Sequence, residues 1–392
     1  MVTPSPDAYV VGVGALPVGN YGDRLEHELI VDAFLAAVED AGVDKEQIDA
    51  LVFSHPRIYT DQRYFGTFIA GYLELPVGDI LMEVLGNGMT GALAFDTAVE
   101  RVTTGQARVA VAMGVSRELH IPTPQHMEFT MRTVGDVDFH APFGVTPIAW
   151  YAMNATRYLA DFGVGHETLA AVAVKNRRHA SLNPLAQYRK LITVQDVLDA
   201  RPIVRPLSLL DVPPRSDGAA AVVVASPEVA KALGRDQVGV VGRGFHHEGV
   251  HQVAAVPESF VEFESAKVAS AKAFQSAGIT PDDVDLAEVY APCSIVEVIL
   301  SESVGFFPSG QGAHAAAAGE TSLGGRIPIA TSGGCLSRGH PPMATPLYQV
   351  VELVEQLHGQ CGDRQVAGAE VAITASELGD YNSTLVHVLR RF

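Results

Sequence analysis

The groups able to do covalent chemistry in this chain are few. Cys293, Cys335 and Cys361 are its only thiols, and their spacing fits neither a disulfide framework nor a zinc ribbon. His246-His247-Glu248 with His251 has donors for a metal, but a polar loop after an opening strand explains it as well, and we expect no metal site. Gly12-Val-Gly14 opens like a dinucleotide fingerprint, yet Pro17 stands where the third glycine is required. Arg177-Arg178-His179 and Lys190 are cations that suit either phosphates or a solvated helix face.

The elements that must carry these groups show an internal repeat. VEDAGVDKEQIDALVFSHP (Val38 to Pro56) aligns without a gap on FQSAGITPDDVDLAEVYAP (Phe274 to Pro292), placing Ala41-Gly42 on Ala277-Gly278 and Pro56 on Pro292. Each copy predicts an amphipathic helix ended by Gly, a short acidic turn and an apolar strand. Tyr9–Gly14 and Val238–Gly244 predict the strands that open each half. We expect an N-terminal half over 1–235 and a C-terminal half over 236–392. The His-, Arg-, Pro- and Asn-rich stretch at about 116–206 has no counterpart and is expected to cap the sheets.

Composition sets the outer limits. The 392 residues are 47% hydrophobic, enough to bury a large α/β core. Apolar runs are short, so nothing predicts a membrane span. MVTPSPDAYVVGVG lacks the basic region of a signal peptide, and a cytoplasmic protein is expected. The net charge of −18 argues against nucleic acid or anionic membrane as partners.

RHASLNPLAQYRK, RSDGAAAVVVAS, AEVYAPCS and TSGGCLSRGHP carry a resemblance over nearly the whole chain. They resemble the thiolase superfamily, of the sterol-carrier-protein-X type. That resemblance implies an α/β thiolase fold: duplicated βαβαβαββ halves in a layered αβαβα arrangement with an inserted cap. It also implies a homodimer, exposing an edge strand around Ala107–Gly114, and a zinc-ribbon/OB-fold partner protein. The family's nucleophile is a Cys in a Cys-x-Ser/Thr-Gly pattern at a helix N-terminus, where a thiolate is favoured. Here the stretch reads Asn87-Gly88-Met89-Thr90-Gly91. Glycine forms no acyl-enzyme. The family's late Cys-x-Gly is also missing from the matching Ile373–Asn382 stretch.

Other family positions remain. Gly339-His340-Pro341 is intact, and in the family this His donates to the thioester oxygen, with Ser332 and Gly334 in the same loop. Tyr290 stands where Asn or His would help bind that oxygen. A tyrosine there is similar to the steroid side-chain aldolases, although those tend to carry Tyr rather than Gly-His-Pro nearby. The resemblance therefore implies a retro-aldol lyase acting on a bulky or branched β-hydroxyacyl-CoA. His340 would stabilise the enolate. Tyr290 would take the hydroxyl proton if neighbours lower its pKa, and Gly88 would leave room for a branched carbinol. CoA enters as substrate, so no cofactor is expected. The alternatives are an acyltransferase using Cys335 or a partner's cysteine, and a non-catalytic subunit of a heteromeric complex. Arg177, Arg178 and Lys190 are the expected CoA contacts.

Overall fold

The computed structural model describes residues 6–75, 80–234, 236–249 and 259–392. The first half runs β1 (Tyr9–Ala15), α1 (Glu26–Ala41), β2 (Ala50–Ser54), α2 (Phe65–Leu73), β3 (Ile80–Val84), α3 (Thr90–Thr103) and β4 (Val109–Ser116). The cap follows with α4 (Thr123–Met131), α5 (Pro147–Phe162), α6 (His166–Leu182), α7 (Val194–Asp199), β5 (Pro202–Val204) and β6 (Leu207–Ser208). Then come β7 (Gly218–Ala225), α8 (Pro227–Leu233), β8 (Val238–His247), α9 (Glu264–Ala277), β9 (Leu286–Val289), α10 (Ser294–Ser303), α11 (Gly312–Ala317), α12 (Thr345–Leu357), β10 (Val371–Leu378) and β11 (Ser383–Arg391).

The strands form one sheet in the order β3-β2-β4-β7-β1-β8-β11-β10-β9, and the two halves meet in it where β1 pairs with β8, Tyr9 opposite Gly239 and Val10 opposite Val238. Alternation along each strand separates the layers. In β2, Ala50 and Val52 face a core shared with α3 and α12, whereas Leu51 and Phe53 face α1 and α2. Leu286, Ala372 and Leu389 of the second half face the same α3/α12 layer, and Ala287, Ile373 and Val388 face α10 and the cap helices. This is the αβαβα layering of the thiolase fold.

The repeat appears in the geometry. α1 and α9 both end on a left-handed glycine, Gly42 (φ 66°) and Gly278 (φ 66°). The glycines of the opening strands have a packing role. A Cβ on Gly12 or Gly14 would strike the Ala37 or Ala33 carbonyl of α1, and one on Gly242 or Gly244 would strike the Ala273 or Ala269 carbonyl of α9. Each strand thus lets its helix lie against its backbone.

Two expectations need correction. Val109–Ser116 is not an edge, because β4 pairs with β2 on one side and β7 on the other. The edges are β3 and β9. His246 and His247 end β8 rather than lying in a loop, and His247 Nδ1 lies 2.6 Å from Ser383 Oγ; His251 is outside the described residues. No helix among the described residues is long and apolar enough to cross a membrane.

Candidate active site

Three segments meet beneath the cap. Gly88 sits in the turn Asn87–Met89 just before α3, and Thr90 ties that turn by donating to the Asn87 carbonyl (2.6 Å) and accepting from Gly86 N–H (2.9 Å). Tyr290 follows β9, its N–H donating to the Ala375 carbonyl of β10 and its carbonyl accepting from the Tyr381 hydroxyl at 2.6 Å. His340 follows Gly339, whose φ of 113° suits a residue without a side chain. Ser216 Oγ fixes the His340 backbone by accepting its N–H at 3.0 Å, while donating to Gln187 Oε1 at 2.6 Å. The Ser-Asp-Gly motif therefore orients the histidine. Its next residue, Asp217, accepts from the N–H groups of Glu118 and Leu119 and so anchors the cap.

Tyr290 Oη and His340 Nε2 are 2.6 Å apart. The ring lies over Gly88: a Cβ there would stand 2.9 Å from Tyr290 Cζ and 3.0 Å from its Oη. The space vacated by a nucleophile's side chain is filled by the phenol, so Gly88 does not leave room for a branched carbinol. Burial, reinforced by Arg338 and His126, pushes the His340 pKa down to about 3. Burial also drives the Tyr290 phenol well above its usual 10, with Cys335 and Glu377 adding. Both groups are neutral near pH 7. The condition for Tyr290 to act as a base is not met; it is a hydrogen-bond donor, paired with a neutral imidazole.

The pair opens into a cavity of about 240 Å³. Asn87 and Gly88 lie in its wall, and Asn87 donates to the Thr133 carbonyl at 2.9 Å. Met127, Val134, Ile148 and Pro342 make it apolar. Three polar groups in the wall had no signal in the sequence. His126 of α4 lies 2.8 Å from the buried Glu118 carboxylate and stacks on Tyr59. Glu377, near the end of β10, accepts from the Tyr151 hydroxyl at 3.1 Å and the Tyr381 N–H at 3.3 Å, and burial raises its pKa to about 7. Glu377 sits within the Ile373–Asn382 stretch, where a search for a cysteine passes over a carboxylate. Glu118 and His126 lie in the unrepeated cap, where no second copy marks them.

Residues 8–205 match the thiolase N-terminal domain model, and residues 246–391 match the thiolase C-terminal domain-like model. The chain belongs to the thiolase family. It is 34% identical to an acetyl-CoA acetyltransferase of Methanothermobacter thermautotrophicus, over 98% of this chain and 100% of that one. It is 32% identical to the benzoylsuccinyl-CoA thiolase subunit BbsB of Thauera aromatica, over 70% of each chain. Among solved structures it is similar to the Ltp2-ChsH2(DUF35) aldolase, with a TM-score of 0.85, 26% identity, and coverage of 99% of this chain and 98% of that one.

For a thiolase-family chain, the placement of the remaining predicted residues is informative. Cys335 is 1% exposed inside the turn Gly334–Arg338 and is not part of the cavity wall; burial pushes its thiol up to about 12. A thiol so held is no nucleophile at neutral pH. Ser332 donates to Glu288 at 2.8 Å and Gly334 adopts φ 57°, so both shape the loop behind His340. Arg177 is buried, donating to Ser337 Oγ at 3.0 Å and to the Lys190 carbonyl at 3.3 Å, and so pins the cap rather than awaiting a phosphate. Arg178 and Lys190 are exposed. Cys293 is fully buried at the start of α10. Among the described residues, Glu352, Glu355 and Cys361 are spaced for a metal, but Arg364 pairs with both carboxylates there.

Proposed function

We propose that this thiolase-family enzyme is a carbon–carbon lyase that cleaves a β-hydroxyacyl-CoA into a ketone or aldehyde and a shorter acyl-CoA. The observation that carries this reading is the Tyr290 ring on Gly88, hydrogen-bonded to His340. Claisen-type acyl transfer through an enzyme-bound thioester needs a nucleophile at that place. Retro-aldol cleavage needs none. It needs a donor at the thioester oxygen as the enolate forms, and with His340 Nε2–H donating to Tyr290 Oη the phenol O–H is free to be that donor. The likeness to a structure named as an aldolase supports the same choice. Acyl transfer, the activity named for the methanogen relative, lacks a thiol in the wall, since none of the three cysteines lines the cavity. The two-component aldolase Ltp2-ChsH2 and the Thauera subunit BbsB support a companion protein for this chain too.

The test is product analysis with β-hydroxyacyl-CoA esters bearing secondary and tertiary carbinols, with the chain alone and with any zinc-ribbon/OB-fold protein encoded beside it. A ketone or aldehyde and a shorter acyl-CoA in equal amounts are expected. Thiolytic or acetyl-transfer turnover without ketone or aldehyde release would overturn the reading.

A further inference from the structure

The lyase reading leaves one role open: the proton of the β-hydroxyl must go somewhere, and the α-carbon must gain one. Tyr290 and His340 are poor bases. Among the buried carboxylates, Glu288, Glu297 and Glu352 lie within 4.0 Å of Arg338, Lys175 and Arg364, and Glu118 pairs with His126. Glu377 is different. It is 4% exposed and lies in the cavity wall, and among the described residues no cation lies within 4.0 Å of its carboxyl. Its partners are the Tyr151 hydroxyl and the backbone N–H groups of Tyr381 and Asp380, none of them charged. Burying a carboxyl without a counter-charge is costly, and proteins place such groups where they are used. β9 and β10 are parallel, with Val289 opposite Ala375, so Tyr290 and Glu377 stand at the carboxyl ends of neighbouring strands. Ligands collect at that end in open α/β sheets.

We propose that Glu377 takes the proton from the β-hydroxyl and returns it to the α-carbon, an assignment that rests on the lyase reading above. The carboxylate accepts the O–H proton and the β-carbon becomes a carbonyl. The bond between α- and β-carbons breaks, and its electron pair becomes the thioester enolate, held at oxygen by Tyr290. The carboxylic acid then protonates the α-carbon and is again a carboxylate. No co-reactant is consumed. The titratable groups that interact with Glu377 are Tyr151 from α5, Tyr290 after β9, Cys293 at α10, Cys335 in the glycine-rich loop, and Asp380 and Tyr381 beyond β10, while Glu118, His126, Arg215 and His340 line the same cavity.

Glu377→Gln keeps the shape, and its amide can serve both neighbours once the Tyr151 hydroxyl rotates. The experiment uses the full chain with its companion protein and two probes. One is β-hydroxy-β-methylvaleryl-CoA with bulkier homologues, scored for ketone release. The other is methyl-deuterated acetyl-CoA, scored for loss of deuterium to water, which is the α-carbon half-reaction in reverse. E377Q should lose both activities by about 10²-fold or more with KM little changed. Wild-type kcat/KM should rise with pH to a plateau with its midpoint near 7, and the residual activity of E377Q should be flat. A merely structural role would not move that profile. If the wild type cleaves while E377Q keeps either activity, the Glu377 assignment fails and the lyase reading stands. If E377Q-sensitive exchange occurs without any cleavage, the lyase reading fails and Glu377 remains an α-carbon base for another reaction. A wild type that does neither overturns both.

Discussion

Glycine at position 88 and tyrosine at position 290 are one structural change, because the phenol occupies the volume that a side chain at 88 would need. Restoring the cysteine alone therefore does not restore the chemistry. Gly88→Cys should show no acetyl adduct by intact mass after incubation with acetyl-CoA, and should lose about 1–3 kcal/mol of stability as the ring is displaced. The pair itself should behave as an oxyanion site. His340→Ala and Tyr290→Phe should each cost roughly 10²–10³ in kcat with little change in KM. Full activity of Tyr290→Phe would remove the phenol from the mechanism. Glu377 adds a stability signature. Its pKa of about 7 in the folded chain lies above its ordinary 4.5, so the folded state holds a proton that the unfolded state has released. Its cost is absent below pH 4.5, grows as pH rises towards 7, and is complete above, at about 3 kcal/mol. Glu377→Gln should therefore be more stable than wild type at pH 8 and no different at pH 4, as read from denaturant midpoints. Equal stability at both would mean that the carboxyl is better compensated than its neighbours indicate.

At the scale of elements, much was legible because local chemistry repeats itself. A helix ending in Ala-Gly, an acidic turn and an apolar strand recur at α1–β2 and α9–β9, and both ends take the left-handed cap that the glycine predicts. The paired Gly-x-Gly strands were legible only in part: Pro17 excluded a nucleotide role, but the close helix approach needs three dimensions. Gly244→Ala should cost at least about 1–3 kcal/mol, since its Cβ meets the Ala269 carbonyl, and Gly14→Ala should match it against Ala33. Denaturant midpoints check both, and an unchanged midpoint for either would break the equivalence of the halves. The site was half legible. Tyr290, His340, Asn87 and Gly88 do line one cavity, brought together from three distant segments by motifs that survive in sequence. Glu118, His126 and Glu377 were not visible, because their burial and partners are set by tertiary packing and no periodicity encodes it. Cys335 misled for the converse reason: a reactive residue type in the right loop points inward, away from the wall.

At the scale of the molecule, the two ends of the sheet are unlike. The outer side of β9 is occupied, since Ala287 N–H donates to the Pro328 carbonyl and the Ala287 carbonyl accepts from Ala330 N–H. The outer side of β3 has no strand partner among the described residues. An open edge is a template for another chain. Here the Glu83 carboxylate is held by His55 Nδ1 at 2.7 Å and by the Gly66 N–H at 2.6 Å. β3 also leads straight into the Gly86–Gly88 turn, so whatever covers the edge steadies the floor of the cavity. A two-fold dimer through β3 is the simplest cover, with both copies extending one sheet. Sedimentation at micromolar concentration should give twice the 41.6 kDa chain mass. Amide exchange in Ile80–Val84 should slow as protein concentration rises, which a dimer through any other face would not cause. A monomer whose β3 amides exchange at the same rate at every concentration would leave the edge open and rule out the dimer.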